Sequence, residues 1–432
     1  MPSEHLSANQ QPVGIVPLQA ADAQRTLNVL LSAFFFEPGA GSPEVHTAVL
    51  DWRRTFGATR EGADLAGVYT SFDMQVTVPG GAPGDLTQVP MAGLSWVAVH
   101  PDHRRRGVMS AMLRHHLADL HESGAAPIGG LLAAEVAIYG RFGYGVASVE
   151  AVLDLGRGAD FAAPALDDAA ARVETRFVAA DCDEAATRLH EAHLRCAATS
   201  LGAVARPDTM ARPMHVDIAA QRKGREPTQV LFASVDGETT GYALFNRKPN
   251  WENGRPQGKV SVSELAAADP ATLLALARRL VDFDLTAATE IRGRSMDDPL
   301  IWWAGGPRAS QVKAYDSLWL RLVDLDTALA ARGYAQPCEL VLDVVDAECP
   351  WNQRKWRLSV QTSGTTSVES VAASTDADLR LPVHALGAAY LGARTVASQA
   401  HQGLVEELRP GAVRELSMAM QADRAPIGSV DF

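Results

Sequence analysis

The stretch SWVAVHPDHRRRGVMSAML, residues 95–113, constrains the chain more than any other part of it. A β-strand ends at Val99, a short loop carries Arg104, Arg105 and Arg106, and Gly107 begins a helix. From Val108 onward, Met109, Met112, Leu113, His116, Leu117 and Leu120 recur at the spacing of one helical face, and Gly124 closes the helix. A glycine at such a junction lets a ligand approach the backbone closely. The free N–H groups of the first helical turn point outward there, and the helix dipole favours negative charge. The turn is therefore shaped to cradle a pyrophosphate. An arginine run alone is usually solvated surface; its place between a strand and a helix is what gives this one a ligand.

The surroundings of this turn have a definite order. Strand-like runs at Asp64–Phe72 and Met91–Val99 flank the turn-rich VPGGAPGD, which reads as an antiparallel hairpin with a long loop. After the helix, PIGGLLAAEV gives a short buried strand and AIYGRFGYG a glycine-broken turn. The middle of the chain repeats this order, with strands at Gln229–Val235, Gly241–Phe245 and Lys259–Leu265 and a helix over Pro270–Phe283. It looks like a duplication that has lost the arginine–glycine turn, since ELAAADPAT occupies that place. The last part is of another kind. SLWLRLVDLDTALAARG reads as a helix, CELVLDVVD and RKWRLSVQTS as strands, and LPVHALGAAYLG and HQGLVEEL as helical stretches. At roughly 150 residues per domain, 432 residues hold about three domains. The breaks in pattern divide them into 1–155, 156–298 and 299–432.

Composition excludes several classes. With 47% hydrophobic and 21% charged residues the chain lies in the globular range. A net charge of -12 argues against non-specific nucleic-acid binding and favours solubility or attraction of cationic small molecules. No apolar run approaches the roughly 18 residues that span a bilayer. The first basic residue, Arg25, follows a mixed polar segment with no leader-like pattern, so a cytoplasmic location is expected. Cys182, Cys196, Cys338 and Cys349 form neither a metal knuckle nor a disulfide framework and read as reduced thiols. His103, His115, His116 and His121 crowd one region, yet His115 and His116 face different ways and no HExxH or cysteine partner accompanies them. No metal is expected.

Arg104-x-x-Gly107 at a strand-to-helix junction, after an antiparallel hairpin, resembles the coenzyme A loop of the GNAT acetyltransferases. EVAIYGRFGYG starts 28 positions after Gly107, and the two elements together resemble the Eis family of actinobacterial N-acetyltransferases along essentially the whole chain. The resemblance implies an α+β, mixed α/β fold. It comprises an N-terminal GNAT domain, a degenerate GNAT-like domain and a C-terminal domain of sterol-carrier-protein type. The sequence departs from the pattern at Met109, where the superfamily usually has Gly or Ala, and at Ala134, where the family commonly has Ser.

The resemblance also implies a site and a reaction. Acetyl-CoA is the expected co-substrate, held by Val97, Ala98 and Val99, by Arg105, Arg106, Gly107, Val108, Met109 and Ser110, and near Ala134 and Glu135. Tyr139 matches the general acid, because the thiolate that leaves the thioester needs a proton and a fixed phenol can deliver it. The general base is assigned to the C-terminal carboxylate, here that of Phe432, where the chain stops after SVDF. Implied acceptors are primary amines of cationic molecules: aminoglycosides, polyamines and lysine-like amines. The implied assembly is a homohexamer, while charge and hydropathy point away from nucleic-acid and membrane partners.

Other residues receive plainer readings. Tyr144 is expected to pack rather than to act as the acid. AFFFEPG, residues 33–39, is expected to line the acceptor pocket, with Glu37 as a cation contact, and Trp96 to wall it. Trp52 is assigned to a core, and Trp302, Trp303, Trp319 and Trp356 to the core of the last domain. Two rival readings are a lipid or sterol carrier, resting on the last domain, and a non-catalytic GNAT-like scaffold. The intact Arg104–Gly107 turn and Tyr139 stand against the second.

Overall fold

The computed structural model describes residues 13–35, 43–60, 64–82 and 84–432. The first sheet contains β1 (Gly14–Pro17), β2 (Thr55–Thr59), β3 (Leu65–Pro79), β4 (Leu86–Val99), β5 (Ile128–Leu132) and β6 (Gly145–Val146). Neighbours from β1 to β4 are antiparallel, whereas β4 and β5 are parallel and joined through α3 (Val108–Ser123). Alternation along β3 sends Val68 towards α1 (Ala23–Phe34), among Val29 and Leu30, and Tyr69 towards α3, among Met112 and Leu113. Helices thus cover both faces, with the short α2 (Pro43–His46) beside α1, which is why β3 is buried along nearly its whole length.

The parallel pairing of β4 with β5 lasts only from Met91–Gly93 against Ile128–Gly130. Beyond it β4 carries a bulge. Val68 faces Ala98 but Thr70 faces Ser95, so β4 has one residue too many, and Trp96 takes φ +54°. The extra residue twists the end of β4 away, and a cleft opens between the ends of the two strands.

A second sheet runs in the order Lys313–Asp316, Val149–Gly156, Thr286–Arg294, Gly258–Ala267, Glu238–Lys248, Gln229–Val235, Glu174–Ala179. The helix Pro270–Val281 joins Gly258–Ala267 to the parallel strand Thr286–Arg294, so the order of the first unit recurs. Its core gathers Phe245, Val262, Leu274, Leu280 and Ile291. The third unit has a five-stranded sheet centred on Cys338–Val345, with helices Leu325–Ala330, Val383–Ala389, Val396–His401 and Ala412–Ala419. Its core is continuous with the β3–β4 hairpin: Phe72, Met74, Val76 and Val89 share a cluster with Leu340, Leu358 and Leu386. The backbones meet so closely that the Gly333 amide donates to Pro79 at 2.7 Å. A Cβ on Gly333 would fall 1.4 Å from the Gly80 carbonyl oxygen, so only glycine fits.

Several expectations are corrected. Residues 317–333 are not one helix: Leu318–Leu322 is a strand of the first sheet, between β5 and β6, and the helix begins at Leu325. All five strand residues are buried, and two open edges give their backbone groups better partners than a helix would. Val149–Gly156, which carries the chain out of the first unit, pairs in the second sheet. In HQGLVEEL the helix has already ended at His401, and Glu406–Glu407 pair with Leu379 and Arg380; Gly403, at φ +78°, turns the chain between them. The tryptophans also scatter. Trp356 packs in the third core, Trp319 in that of the first sheet and Trp303 against the second, while Trp302 is 63% exposed.

Candidate active site

The turn at Arg104–Gly107 sits at the mouth of the cleft and faces solvent. Arg105 holds φ +60° and Gly107 φ +80°, and a Cβ on Gly107 would meet nothing within 4 Å. Gly107 is the N-cap of α3 and brings no side chain to its first-turn amides, which remain free for an anion. Buried Arg60 pins the loop from behind by donating from Nη1 to the Arg106 carbonyl at 3.4 Å. Val108 and Ala98 are themselves buried, so they offer a ligand only their backbone groups. The bulge takes Trp96 and Val97 out of the pairing with β3, on the wall facing Leu132 and Ala134 across the cleft. Glu135 caps α4 (Val136–Tyr139) and is exposed. A basic turn with free amides, leading into a slot with an unpaired strand wall, fits a diphosphate followed by a thin, amide-bearing arm. These are the proportions of acetyl-CoA.

Tyr139 ends α4 and is 8% exposed. Burial, then the nearby charge of Glu135, pushes its phenol up to about 12, so it stays protonated at neutral pH. Tyr144 stands edge-on to it, ring centroids 6.1 Å apart, but is fully buried. Its hydroxyl has no partner among the described residues, and it is not among the described residues lining the cavity.

The chain end reaches this place along a fixed track. The Ala425 amide donates to Asp297 Oδ2 at 2.9 Å, and Ser295 donates back to the Ala425 carbonyl at 2.9 Å. Further on, the Ile427 amide donates to Leu201 O and the Ser429 amide to Ser317 Oγ, each at 2.9 Å. Gly428 presses on Gly293 and Glu150; a Cβ there would lie 2.6 Å from that of Glu150. The track follows the second sheet where Gly258–Ala267 and Thr286–Arg294 have parted, the counterpart of the cleft in the first unit. At its end Phe432 lays its ring over Gly93, and Ser95 Oγ donates to its backbone oxygen at 2.7 Å. Phe432, Asp431, Ser95 and Tyr139 line one cavity of about 680 Å³.

Of the expected acceptor residues, Phe34 and Trp96 line this cavity and Phe35 points away, 86% exposed. Phe36 and Glu37 lie outside the described residues. Trp52 is half-buried against the Leu18–Val29–Val68 cluster. Sequence reasoning missed Ser95, Asp431 and the segment Pro213–Ile218, which closes the cavity from the second unit. Ser95 lies inside the quoted motif and could have been chosen for its hydroxyl; nothing local marks residues 213–218. The histidines go separate ways. His115 bonds Tyr69 at 2.7 Å, His121 bonds Asp324 at 2.5 Å, and burial drives His116 down to about 3. Among the described residues, no three potential metal ligands converge.

A bulged β4 parting from a parallel β5, with a basic glycine turn leading into α3, defines a GNAT N-acetyltransferase. Residues 15–147 and again 202–322 match the acetyltransferase (GNAT) domain, and residues 325–429 match the sterol carrier protein domain. The chain is 30% identical to the N-acetyltransferase Eis of Mycobacterium tuberculosis, over 91% of this chain and 94% of that one. It is 39% identical to an uncharacterized N-acetyltransferase of Streptomyces avermitilis over 85% of this chain and 86% of the other. The crystal structure of Eis1 from Mycobacterium abscessus superposes with a TM-score of 0.79 at 30% identity, covering 96% of this chain and 99% of that one. The chain belongs to the Eis-like N-acetyltransferases, with two GNAT domains followed by a sterol-carrier-like domain.

Proposed function

We propose that this enzyme transfers the acetyl group of acetyl-CoA directly to a primary amine, with Tyr139 as general acid and the terminal carboxylate of Phe432 as general base. Acetyl-CoA supplies an activated thioester carbonyl. The free amides of Val108, Met109 and Ser110, with Arg105 and Arg106, hold its phosphates. The backbone from Val97 to Val99 orients its arm, and Ala134 and Glu135 border the other side. The Phe432 carboxylate takes a proton from the acceptor ammonium, freeing the lone pair that attacks. As the C–N bond forms and the C–S bond breaks, Tyr139 Oη gives its proton to the departing sulfur, and the second proton of the attacking nitrogen, shed as the neutral amide forms, restores the phenol. A phenol raised to about 12 is a donor that does not ionise prematurely.

The single observation that supports this most is that Tyr139 and the Ser95-anchored end of the chain line the same cavity. The four cysteines, free of disulfides, fit the cytoplasmic location in the same reading. Homohexameric assembly and the three-part division at 155 and 298 belong to it as well. The test is a short C-terminal extension, which converts the carboxylate to an amide and pushes the chain out of the cavity. Amine-dependent thiol release from acetyl-CoA should nearly vanish while acetyl-CoA binding persists. A fully active extended enzyme sinks the assignment of the base.

A further inference from the structure

Among the described residues, the acceptor side of the cavity is walled by carbon. Leu30, Leu31 and Phe34 come from α1, and Met214, Val216 and Ile218 come from the second unit. Among the described lining residues, the carboxylates are Asp431 and the chain end at Phe432, adjacent in sequence and beside Ser95. The other titratable side chains there are His46 and Tyr139. Such a wall fits one ammonium held at one place. A polycation would have to bury further ammonium groups against leucine and methionine, and a buried charge without a partner is costly. A cavity of about 680 Å³ is far larger than one small amine needs, and it lies within the usual range for a whole small-molecule ligand.

We propose that the preferred acceptor is a primary monoamine on an apolar body, an arylalkyl or medium-chain alkylamine, whose ammonium meets the Asp431–Phe432 carboxylates while its body fills the pocket between α1 and residues 213–218. The inference rests on acetyl transfer occurring in this cavity. It narrows the expected acceptors, because aminoglycosides and polyamines carry several ammonium groups.

The test uses the whole chain and thiol release from acetyl-CoA with ethylamine, butylamine, hexylamine, phenethylamine, spermidine and kanamycin. Burial of each added methylene should raise kcat/KM about fourfold along the alkyl series. Phenethylamine should exceed spermidine and kanamycin by roughly tenfold or more. Leu31→Glu and Val216→Glu place a carboxylate at half-buried and exposed positions of the wall, where the fold tolerates it. Each should cut phenethylamine turnover, narrow the gap to spermidine and leave the acetyl-CoA KM unchanged. A flat alkyl series, or spermidine or kanamycin turned over faster than phenethylamine, overturns the inference and leaves acetyl transfer standing. If no amine releases thiol, the reading of the reaction fails, and this inference fails with it.

Discussion

The hydroxyl of Ser95 donates a 2.7 Å hydrogen bond to the backbone oxygen of Phe432, 337 positions further along the chain. Ser95 sits at the start of the β4 bulge, so the distortion that opens the cleft also turns a donor towards the end of the chain. A hydrogen bond to a charged acceptor contributes about 1.5–3 kcal/mol. Ser95→Ala is therefore expected to lower kcat by roughly ten- to hundredfold. Steady-state kinetics should show an unchanged acetyl-CoA KM, and Ser95→Thr should restore part of the rate. An equal rise in the acetyl-CoA KM would mean that the substitution had deformed β4 instead.

Tyr139→Phe keeps the ring and removes one hydroxyl. Its kcat should fall by about 10²–10⁴ with little change in either KM. Tyr144→Phe removes a hydroxyl that has no partner among the described residues and should cost far less. Reversed effects would exchange the roles of the two tyrosines.

Arg105 combines a charge with a left-handed backbone, φ +60°. Arg105→Gly accepts that backbone without strain while removing the charged side chain, so it is a cleaner test than Arg105→Ala. The acetyl-CoA KM should rise about tenfold, more steeply at low salt, while the amine KM stays put. An unchanged acetyl-CoA KM removes this turn from the site.

Gly428 lies against Gly293 and Glu150 with no room for a side chain. Gly428→Val should lift the tail from its track and displace Phe432 from Ser95. We expect amine turnover to drop by at least about tenfold, since small misplacements of a reacting group cost on the order of a hundredfold, with acetyl-CoA binding retained. Wild-type kcat in this variant would show that the track does not position the chain end.

His116 is buried, and its imidazole is pushed down to about 3, by burial first and then by Arg54. Below pH 6.5 the unfolded chain binds a proton that the folded chain refuses, so stability is complete above pH 6.5 and is lost as pH falls towards 3. At pH 5 the loss from this residue is about 2 kcal/mol. Denaturant melts of His116→Leu should lose correspondingly less stability between pH 7.5 and pH 5 than the wild type. Equal slopes would contradict the assignment.

The β4–turn–α3 unit was legible in the sequence because its signals are local. Strand alternation, the Arg104–Gly107 turn and a helical stripe all fall within 30 residues, and the second unit repeats the strand and helix signals. Leu318–Leu322 reads as helix in the sequence because five buried residues beside a helical run carry no period that separates strand from helix. Residues 213–218 carry no such signal, since they close the cavity through contacts made only when the two units meet.

By itself, then, the sequence determined what neighbouring residues decide together: the arginine–glycine turn, the helix behind it, the hairpin before it and the Tyr139 motif. Only the tertiary structure decided that Ser95 meets Phe432, that the β3–β4 hairpin shares its core with the third unit, and that α1 and residues 213–218 present mostly apolar side chains to the cavity. The physical reason is the range of the forces involved. Backbone hydrogen bonding and periodic burial act within a few turns of chain, whereas packing and a carboxylate's partner depend on surfaces brought together over hundreds of residues.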